Sequence, residues 1–389
     1  MQTRRHFLQF AAASGVIASP FAALAQERKF APQPGDWRTF EVTTRVDVNL
    51  SQGATRVWLP MPSLDSDWQR SLENTFKSNG QASRTTDGRE GAGILQVDFD
   101  ASNTQPYVEL TSRVQTRSRA VDWSRKTPAA LAADTRAYWL RPTALIPTDG
   151  IVRDTARKAV GDARTDEEKV RRIYEWVIGN AWREPTVRGC GEGDIKTMLE
   201  TGNLGGKCAD INALFVGLCR AEGIPARDVY GVRLAPSAFG YKALSGNSAS
   251  LKGSQHCRAE VFLQAHGWTA MDPADVAKVM REETPTWIKS VSDPLVAPVY
   301  KGLYGGWEGN WVGFNMAHDV ALPGSRLGKL GFLMYPVAED QQGRYDSYDP
   351  DGFKYQITAK ELAACPVRFC GTPRPARHGR GGCPGSRTS

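Results

Sequence analysis

The chain has 389 residues, of which 41% are hydrophobic and 23% are charged, and its formal net charge is +7. That length exceeds one average domain and is enough to bury a core in each of two domains. The excess positive charge sits at the ends, because residues 1–25 hold two arginines and residues 364–389 hold five, with no acid in either segment. The rest of the chain is formally neutral, which excludes an electrostatic case for binding nucleic acid or an anionic membrane.

The first 25 residues predict an export leader. The sequence TRRHFL, which starts at Thr3, resembles the twin-arginine export motif, and an alanine-rich stretch follows it. Residues Ala23, Leu24 and Ala25 fit a small-residue cleavage site. We therefore expect the mature chain to start near Gln26 and to reside in the periplasm or outside the cell. No other apolar run in the sequence approaches the length that spans a bilayer.

Residues 36–122 have the pattern of β-strands. At least four segments there alternate apolar with polar residues, and clusters of glycine, asparagine and serine separate them. Their number predicts an antiparallel β-sandwich. Because these segments carry no cluster of chemically active side chains, we interpret this part as a structural or substrate-presenting domain.

Helical signals follow a predicted linker at residues 123–150, which holds one short helical piece. Thr165 and Glu168 form a capping-box pair, and the apolar residues after them fall on one face of a helix. We expect that helix to end near Asn180. A second, short helix is predicted over residues 195–200, and the loop TGNLGGK comes after it.

Cys208 opens the segment around which the second domain is organised. The apolar residues that follow it lie at the spacing of one helical face, namely Ile211, Leu214, Phe215 and Leu218. A cysteine at a helix N-terminus meets unpaired N–H groups and the positive end of the helix dipole, which favour a thiolate. We therefore predict that Cys208 is nucleophilic. The helix should end at Gly223, because Pro225 cannot continue it, and a strand is predicted over residues 226–234.

A base, and a group to orient it, occur in the stretch QHCRAEVFLQAHGWTAMDPAD. His256 begins an alternating run, a turn-like AHG follows, and Asp272 closes a second short run, which predicts a hairpin. His256 and Arg258 then lie on the opposite face of the first strand from Cys257 and Ala259, so His256 faces away from the apolar side, toward a site. Asp272 comes within a few residues of being opposite His256. The register stays open, because the loop can hold two residues or four.

These stretches together resemble the transglutaminase-like superfamily of papain-type thiol enzymes. The similarity extends over about residues 126–360 and rests on GKCADINALFVGL, QHCRAE and GWTAMDPAD. The resemblance implies an α+β fold with a papain-like, transglutaminase-like core, and a catalytic triad of Cys208, His256 and Asp272. Many proteins of this kind carry a β-rich domain before the thiol domain, which agrees with the antiparallel β-sandwich predicted here.

Acyl transfer also requires hydrogen-bond donors for the oxyanion that develops on the substrate. The backbone N–H of Cys208 is one natural donor at its helix end. Asn203 is a candidate for the second donor, although asparagine is at home in the turn of a loop. A residue that the sequence does not identify is the remaining alternative.

The chain has seven cysteines, an odd number that leaves at least one thiol unpaired. Three lie in residues 364–389. Cys219 and Cys257 are predicted to be core thiols, and Cys190, in the loop RGCGEG, either pairs or stays free. The catalytic interpretation expects the free thiol at Cys208. No Cys and His spacing makes a zinc site, and the loop DSYDPDG lacks the glutamate of a calcium loop, so no metal and no cofactor are expected.

The predicted organisation has four parts. They are a leader at residues 1–25, a β-rich domain at 36–122, a transglutaminase-like catalytic domain at 126–363 and a tail at 364–389. Two strands, in LGFLMYPVAED and FKYQIT, are expected to complete the sheet of the catalytic domain. The tail is rich in proline, glycine and arginine and has few apolar residues, so disorder is expected there.

The expected activity is thiol-dependent acyl transfer on peptide or isopeptide amides. With water as the acceptor the protein is a periplasmic cysteine protease or amidase, and with an amine it is a transglutaminase. Similarity to bacterial members of the family favours hydrolysis. The expected partner is a peptide or protein substrate, with no nucleic acid and no integral membrane segment in the mature chain. The alternative is a non-catalytic binding or scaffold protein of the cell envelope.

Overall fold

The computed structural model describes residues 28–48 and 53–363. The predicted leader and the predicted disordered tail lie outside the described residues. Within these two described ranges, no helix is both long enough and apolar enough to cross a membrane.

The regular elements of the described chain alternate in a mixed α and β order. The helices are α1 (Ala133–Leu140), α2 (Gly150–Val160), α3 (Asp166–Asn180), α4 (Ile195–Thr201), α5 (Cys208–Ala221), α6 (Pro273–Glu282) and α7 (Ala297–Gly302). The strands are β1 (Arg38–Asp47), β2 (Thr55–Met61), β3 (Gln69–Ser78), β4 (Gln81–Thr86), β5 (Gly93–Phe99), β6 (Tyr107–Thr116), β7 (Arg119–Ala120), β8 (Trp182–Arg183), β9 (Gly205–Gly206), β10 (Ala226–Arg233), β11 (Gln255–Leu263), β12 (Gly267–Met271), β13 (Gly306–Trp307), β14 (Trp311–Asn315), β15 (His318–Val320), β16 (Leu330–Phe332), β17 (Val337–Glu339) and β18 (Tyr355–Leu362).

The N-terminal strands form a sandwich of two four-stranded antiparallel sheets. The strand orders are β18-β1-β6-β3 and β17-β2-β5-β4. Alternate residues of β1 and β6 are buried, because successive side chains of a strand point to opposite faces of the sheet. Val42, Leu110 and Leu59 are among the buried residues that fill the core between the sheets. The antiparallel β-sandwich predicted from the sequence is confirmed.

The two C-terminal strands belong to this sandwich. β17 pairs with β2, and all eight residues of β18 pair with β1. From the sequence alone both strands are expected to complete the sheet of the second domain, whereas in the structure they complete the first. Alternation marks a segment as a strand, but it does not say which strand is its neighbour, because pairing is decided by the three-dimensional course of the chain.

The second domain is built on the antiparallel sheet β12-β11-β10-β14. Helix α5 lies across β10 and β11, and α2, α3 and α6 pack around it. Every residue of α5 from Cys208 to Arg220 is therefore buried. The capping box of Thr165 and Glu168 begins α3, as predicted.

Strands β11 and β12 form the predicted hairpin, and residues 264–266 connect them. Ala259 lies opposite Met271, and Phe262 lies opposite Trp268. In this register β12 ends at Met271, so Asp272 becomes the N-cap of α6, where its side chain accepts a hydrogen bond from the backbone N–H of Asp275.

Direct contacts hold the sandwich against the second domain. Gln69 Nε2 donates to the carbonyl of Gly313 at 2.7 Å, and Gln69 Oε1 accepts from the N–H of Gly313 at 2.7 Å. Arg119 of β7 forms a buried ion pair with Glu260 of β11. One hydrophobic core runs through both parts. The sandwich is therefore packed onto the second domain and not merely tethered to it.

Candidate active site

Cys208 is the first residue of α5 and only 4% of its surface is exposed. The side chain of Asp210, in the first turn of the helix, accepts hydrogen bonds from the N–H groups of Lys207 at 2.9 Å and Gly193 at 2.9 Å. Gly206 leaves room for this, since a Cβ there would meet the Cβ of Asp210 at 2.5 Å. Asp210 thereby holds two loops around the start of the helix, and the helix begins at the residue predicted from the sequence.

The imidazole of His256, on β11, lies beside Cys208 and contacts two carboxylates. His256 Nε2 is 2.8 Å from Asp272 Oδ2 and 3.3 Å from Asp275 Oδ2. Because Nε2 is occupied, Nδ1 is the ring nitrogen that remains for the sulfur. The structure thus brings Cys208, His256 and Asp272, three residues singled out in the sequence, into one buried cluster.

Asp275 and Arg233 form an ion pair in the same cluster. The guanidinium of Arg233 donates to both carboxylate oxygens of Asp275, with Nη2 2.5 Å from Oδ2. Burial and the charge of Arg233 would lower the pKa of His256, but the carboxylates of Asp275 and Asp272 outweigh them and raise it to about 9. The ring is therefore an imidazolium at neutral pH.

Three free thiols meet at the start of α5, those of Cys208, Cys190 and Cys257. Burial alone would raise the pKa of Cys208, but hydrogen bonds with Cys190, Cys257 and His256, together with the charge of His256, lower it well below the usual value. Burial and the neighbouring Cys208 raise the pKa of the other two thiols. Cys208 is thus the thiol that carries the negative charge.

The environments of the two neighbouring thiols were not apparent from the sequence. Cys190 is free, and its Sγ donates to the carbonyl of Gln255 at 3.2 Å. Cys257 is buried, as predicted, but it reaches Cys208 because α5 crosses its face of β11. The opposite face of β11, which carries His256, Arg258 and Glu260, is buried as well.

A cavity of about 240 Å³ opens at Cys208 and His256. Tyr335, Tyr348 and Tyr355, from the C-terminal part of the chain, form one of its walls. Cavities of about 450 and 750 Å³ elsewhere in the molecule are lined by neither Cys208 nor His256. The smaller cavity is therefore the one through which a substrate can approach the sulfur.

Asn203 and Gln255 occupy different surroundings. Asn203 is exposed, does not line this cavity, and its side-chain oxygen accepts from the N–H of Gly205 at 3.2 Å. Gln255 lines the cavity, is 6% exposed, and its Nε2 has no hydrogen-bond partner among the described residues. Buried donors are nearly always paired, so this unpaired one marks a place where a ligand atom can accept. Its only signal in the sequence is its position directly before His256.

Asn212, one turn after Cys208 on α5, ties the cluster together. Its Nδ2 donates to the carbonyl of Cys257 at 2.8 Å and to Asp272 Oδ1 at 3.3 Å. Its Oδ1 accepts from the N–H of Ala274 at 3.2 Å. One side chain thereby connects the segments that carry the thiol, the imidazole and the carboxylate. A polar residue within an apolar helix was the available signal in the sequence.

Within the described ranges, one group of side chains of the metal-ligand type lies close enough together to hold an ion. It consists of His256, Asp272 and Asp275. Their oxygens are already engaged, because Arg233 donates to both oxygens of Asp275 and Asn212 donates to Asp272. His256 Nε2 faces the remaining oxygen of Asp272. This donor set therefore fits a protonated ring better than a metal ion.

Comparison with known proteins identifies the family of this chain. Residues 153–273 match the family model of the core of the transglutaminase-like superfamily. An uncharacterized protein of Haemophilus influenzae is 35% identical over 348 residues, which cover 84% of this chain and 92% of that protein. The chain belongs to the transglutaminase-like superfamily. Cys208, His256 and Asp272 all lie inside the matched segment of this transglutaminase-like protein.

Among solved structures, a candidate cysteine protease from Cytophaga hutchinsonii superposes with a TM-score of 0.52 at 14% identity, covering 85% of this chain and 93% of that one. At this identity the likeness shows a shared fold. The periplasmic domain of TgpA from Pseudomonas aeruginosa gives a TM-score of 0.34 at 14% identity, covering 69% of this chain and 97% of that domain. A TM-score that low does not establish a shared fold.

Proposed function

We propose that this transglutaminase-like protein is a thiol enzyme that transfers the acyl group of peptide or isopeptide amides through Cys208, His256 and Asp272. The observation that carries the proposal is the geometry of the buried cluster, in which Cys208 begins α5 beside His256, and His256 Nε2 is 2.8 Å from Asp272 Oδ2. In agreement with this geometry, the neighbouring hydrogen bonds and the charge of His256 lower the pKa of Cys208, and the carboxylates of Asp275 and Asp272 raise the pKa of His256 to about 9. At neutral pH this pair exists as a thiolate and an imidazolium, which is the reactive form of a thiol nucleophile.

In the proposed first step the thiolate of Cys208 attacks the carbonyl carbon of the amide. A C–S bond forms, and the π electrons of the carbonyl move to its oxygen. When this oxyanion collapses, the C–N bond breaks. His256 donates its Nδ1 proton to the leaving nitrogen, so an amine departs and a thioester remains on Cys208.

In the second step water or an amine attacks the thioester carbonyl. His256 takes a proton from the attacking group, the C–S bond breaks, and the thiolate is restored. Asp272 accepts a hydrogen bond from Nε2 throughout, which orients the ring and stabilises its charged form. The carboxylate of Asp275 lies 3.3 Å from the same nitrogen and places a second negative charge beside the ring.

Two donors are proposed for the oxyanion. The backbone N–H of Cys208 is among the first N–H groups of α5, which have no acceptor within the helix. The side-chain amide of Gln255 supplies the second donor, since its buried Nε2 is unpaired and lines the cavity. We prefer Gln255 to Asn203 for this role, because Asn203 is exposed and already bonded within its own loop.

Water is the proposed acceptor, which makes the protein a periplasmic cysteine protease or amidase. The small volume of the cavity, about 240 Å³, favours a small acceptor over the lysine side chain of a second protein. Export by the twin-arginine route is part of the proposal and rests on the motif near Arg4 and Arg5 and on the small-residue cleavage site.

The test uses the mature protein and a peptide library analysed by mass spectrometry. Cleavage indicates hydrolysis, whereas loss of ammonia with amine incorporation indicates transglutamination. We expect Cys208→Ala to abolish both reactions. Cys219→Ala is the matched control, because Cys219 is a buried free thiol at the other end of the same helix. Turnover by Cys208→Ala at the wild-type rate would remove the proposal.

A thiol-reactive amide probe separates the enzyme from the scaffold alternative. An enzyme should label at Cys208 faster than at Cys190, since only Cys208 has a lowered pKa. The substitution His256→Ala should suppress that labelling by removing the cation beside the sulfur. Equal labelling of the two thiols would support a scaffold that kept the fold without turnover.

A further inference from the structure

Among the described residues, basic side chains line the cavity at Cys208 and no acidic one does. The basic residues are Arg183, Lys207, Lys252 and Lys278. They come from β8, from the residue before α5, from the loop before β11 and from α6. Four separate segments therefore bring positive charge to one small space, next to an imidazole that is itself protonated.

Two of the four basic groups already have partners. Arg183 Nε is 2.8 Å from Glu282 Oε1, and Lys252 pairs with an exposed aspartate. Within the part of the chain that the structure describes, neither Lys207 nor Lys278 has a carboxylate within ion-pair distance. These two ammonium groups are the ones available to an incoming ligand.

Lys278 has no ion-pair partner among the described residues, although it lies close to a carboxylate. It lies one turn after Asp275 on α6, but that carboxylate is committed to Arg233. Burial, and then the charge of Arg233, lower the pKa of Lys278 to about 8 against the opposing charges of Asp275 and Glu282, which are themselves paired with Arg233 and Arg183. Burial, followed by the charge of Arg183, also lowers the pKa of Lys207. A partly buried cation without a counter-ion is costly, and a bound anion would reduce that cost.

We infer that the substrate carries a carboxylate close to the scissile amide, and that Lys207 and Lys278 bind it. This inference rests on the proposed function and names the class of substrate. Lys207 directly precedes Cys208, so an anion held there lies next to the acyl group on the sulfur. The cavity of about 240 Å³ is smaller than most drug-binding pockets and admits only a short stretch of chain.

Two kinds of peptide supply this chemistry. The carboxylate is either the side chain of a glutamate or aspartate beside the scissile bond, or the free α-carboxylate of a C-terminal residue. Matched peptides distinguish them. One series exchanges Glu for Gln at each position around the cleaved bond, and a second series exchanges a free C-terminus for its amide. The carboxylate that the site binds is the one whose series shows faster turnover of the acid than of its neutral twin.

The measured quantity is kcat/KM for each acid and its neutral twin with the full mature enzyme. We expect the preferred acid to exceed its twin by about 10-fold or more, since a hydrogen bond to a charged group contributes that much. The double variant Lys207→Met/Lys278→Met should lose the preference, so that kcat/KM becomes equal for each acid and its neutral twin. Lys207→Arg/Lys278→Arg should retain it, because both charges remain. Lys158→Met, at an exposed position on α2, is the matched control and should behave as wild type.

Equal kcat/KM for acid and twin in every pair, or a preference that survives in the double methionine variant, would overturn the inference. A second measurement separates this from failure of the proposed function, because it requires no turnover. Both iodoacetate, which is negatively charged, and iodoacetamide, which is neutral, alkylate Cys208. The rate with iodoacetate divided by the rate with iodoacetamide, normalised to the same ratio for glutathione, should be raised about 10-fold. This ratio should fall in the double methionine variant.

A raised ratio that falls in the double methionine variant, in a protein that turns over no peptide, would sink the enzyme proposal and leave the anion site standing. A normal ratio in an active enzyme would sink the inference and leave the activity standing.

Discussion

Asp275 is the residue that we expect to decide the protonation state of His256. Burial and Arg233 lower the pKa of His256, yet Asp275 and then Asp272 raise it from 6.5 to about 9. That difference corresponds to about 3 kcal/mol in favour of the imidazolium. The substitution Asp275→Asn preserves the side-chain volume, removes the larger of the two raising charges and leaves the opposing Arg233 in place. We therefore expect the pKa of His256 to return to its ordinary value or below.

The consequence for activity follows from the fraction of protonated His256. In the wild-type protein kcat/KM should fall as the pH rises through about 9, where the ring loses its proton. In Asp275→Asn the midpoint of this fall in kcat/KM should move to a pH below 7. At pH 8 a ring with a pKa of 6.5 is only about 3% protonated, so kcat/KM should drop about 30-fold.

The assay is the pH profile of kcat/KM between pH 5 and 10, with an NMR titration of the His256 ring as a direct check. Asp346→Asn is the matched control, because Asp346 is an exposed carboxylate paired with Arg188. It should leave the basic limb at its wild-type position. A basic limb that stays near pH 9 in Asp275→Asn would refute this electrostatic reasoning.

The same pKa also determines how stability depends on pH. The folded-state pKa of His256 lies above the unfolded one, so its protonation adds to the free energy of unfolding. This contribution, about 3 kcal/mol, is fully present below pH 6.5 and is lost as the pH rises through about 9. Urea unfolding followed by tryptophan fluorescence should show this fall in the wild type and a smaller one in Asp275→Asn. The variant should also be less stable by about 3–5 kcal/mol at pH 6, because Arg233 is left buried without its partner.

Two further substitutions test the donors and contacts around the thiol. Gln255→Leu should lower kcat by about 10²–10³ with little change in KM, because an oxyanion donor acts mainly in the transition state; an unchanged kcat would exclude Gln255 from that role. Asn212→Ala should lower the free energy of unfolding by about 2–3 kcal/mol, since two buried backbone groups lose their partner. Asn180→Ala, at an exposed asparagine of α3, should change it by less than about 0.5 kcal/mol, and equal losses in both variants would contradict the expected role of Asn212.

The local features of the site could be predicted from the sequence because their causes are local. The start of α5 at Cys208 follows from the glycines before it and the helical spacing after it. The hairpin that carries His256 follows from alternation and a turn. The sequence also predicts that Asp272 lies near His256. The structure adds that the hairpin has a three-residue connection and that Asp272 is the N-cap of α6.

The residues that tune the site were not predictable, since their roles depend on partners far away in the chain. Arg233 ends β10 and Asp275 lies in the first turn of α6, and nothing in either segment names the other as its partner. Gln255 is informative only because its amide is buried and unpaired. Burial, which sets the strength of each charge interaction, is a property of the packed molecule.

The helices and strands of this protein, and the order of Cys208, His256 and Asp272, can be predicted from the sequence, because helices, strands and caps follow from residues a few positions apart. Three other features emerge only when the chain is packed. Strands β17 and β18 complete the first domain, three thiols meet at one helix end, and basic side chains line the cavity. Those outcomes depend on which distant segments become neighbours and how much water they exclude. Short-range patterns of side chains do not encode either.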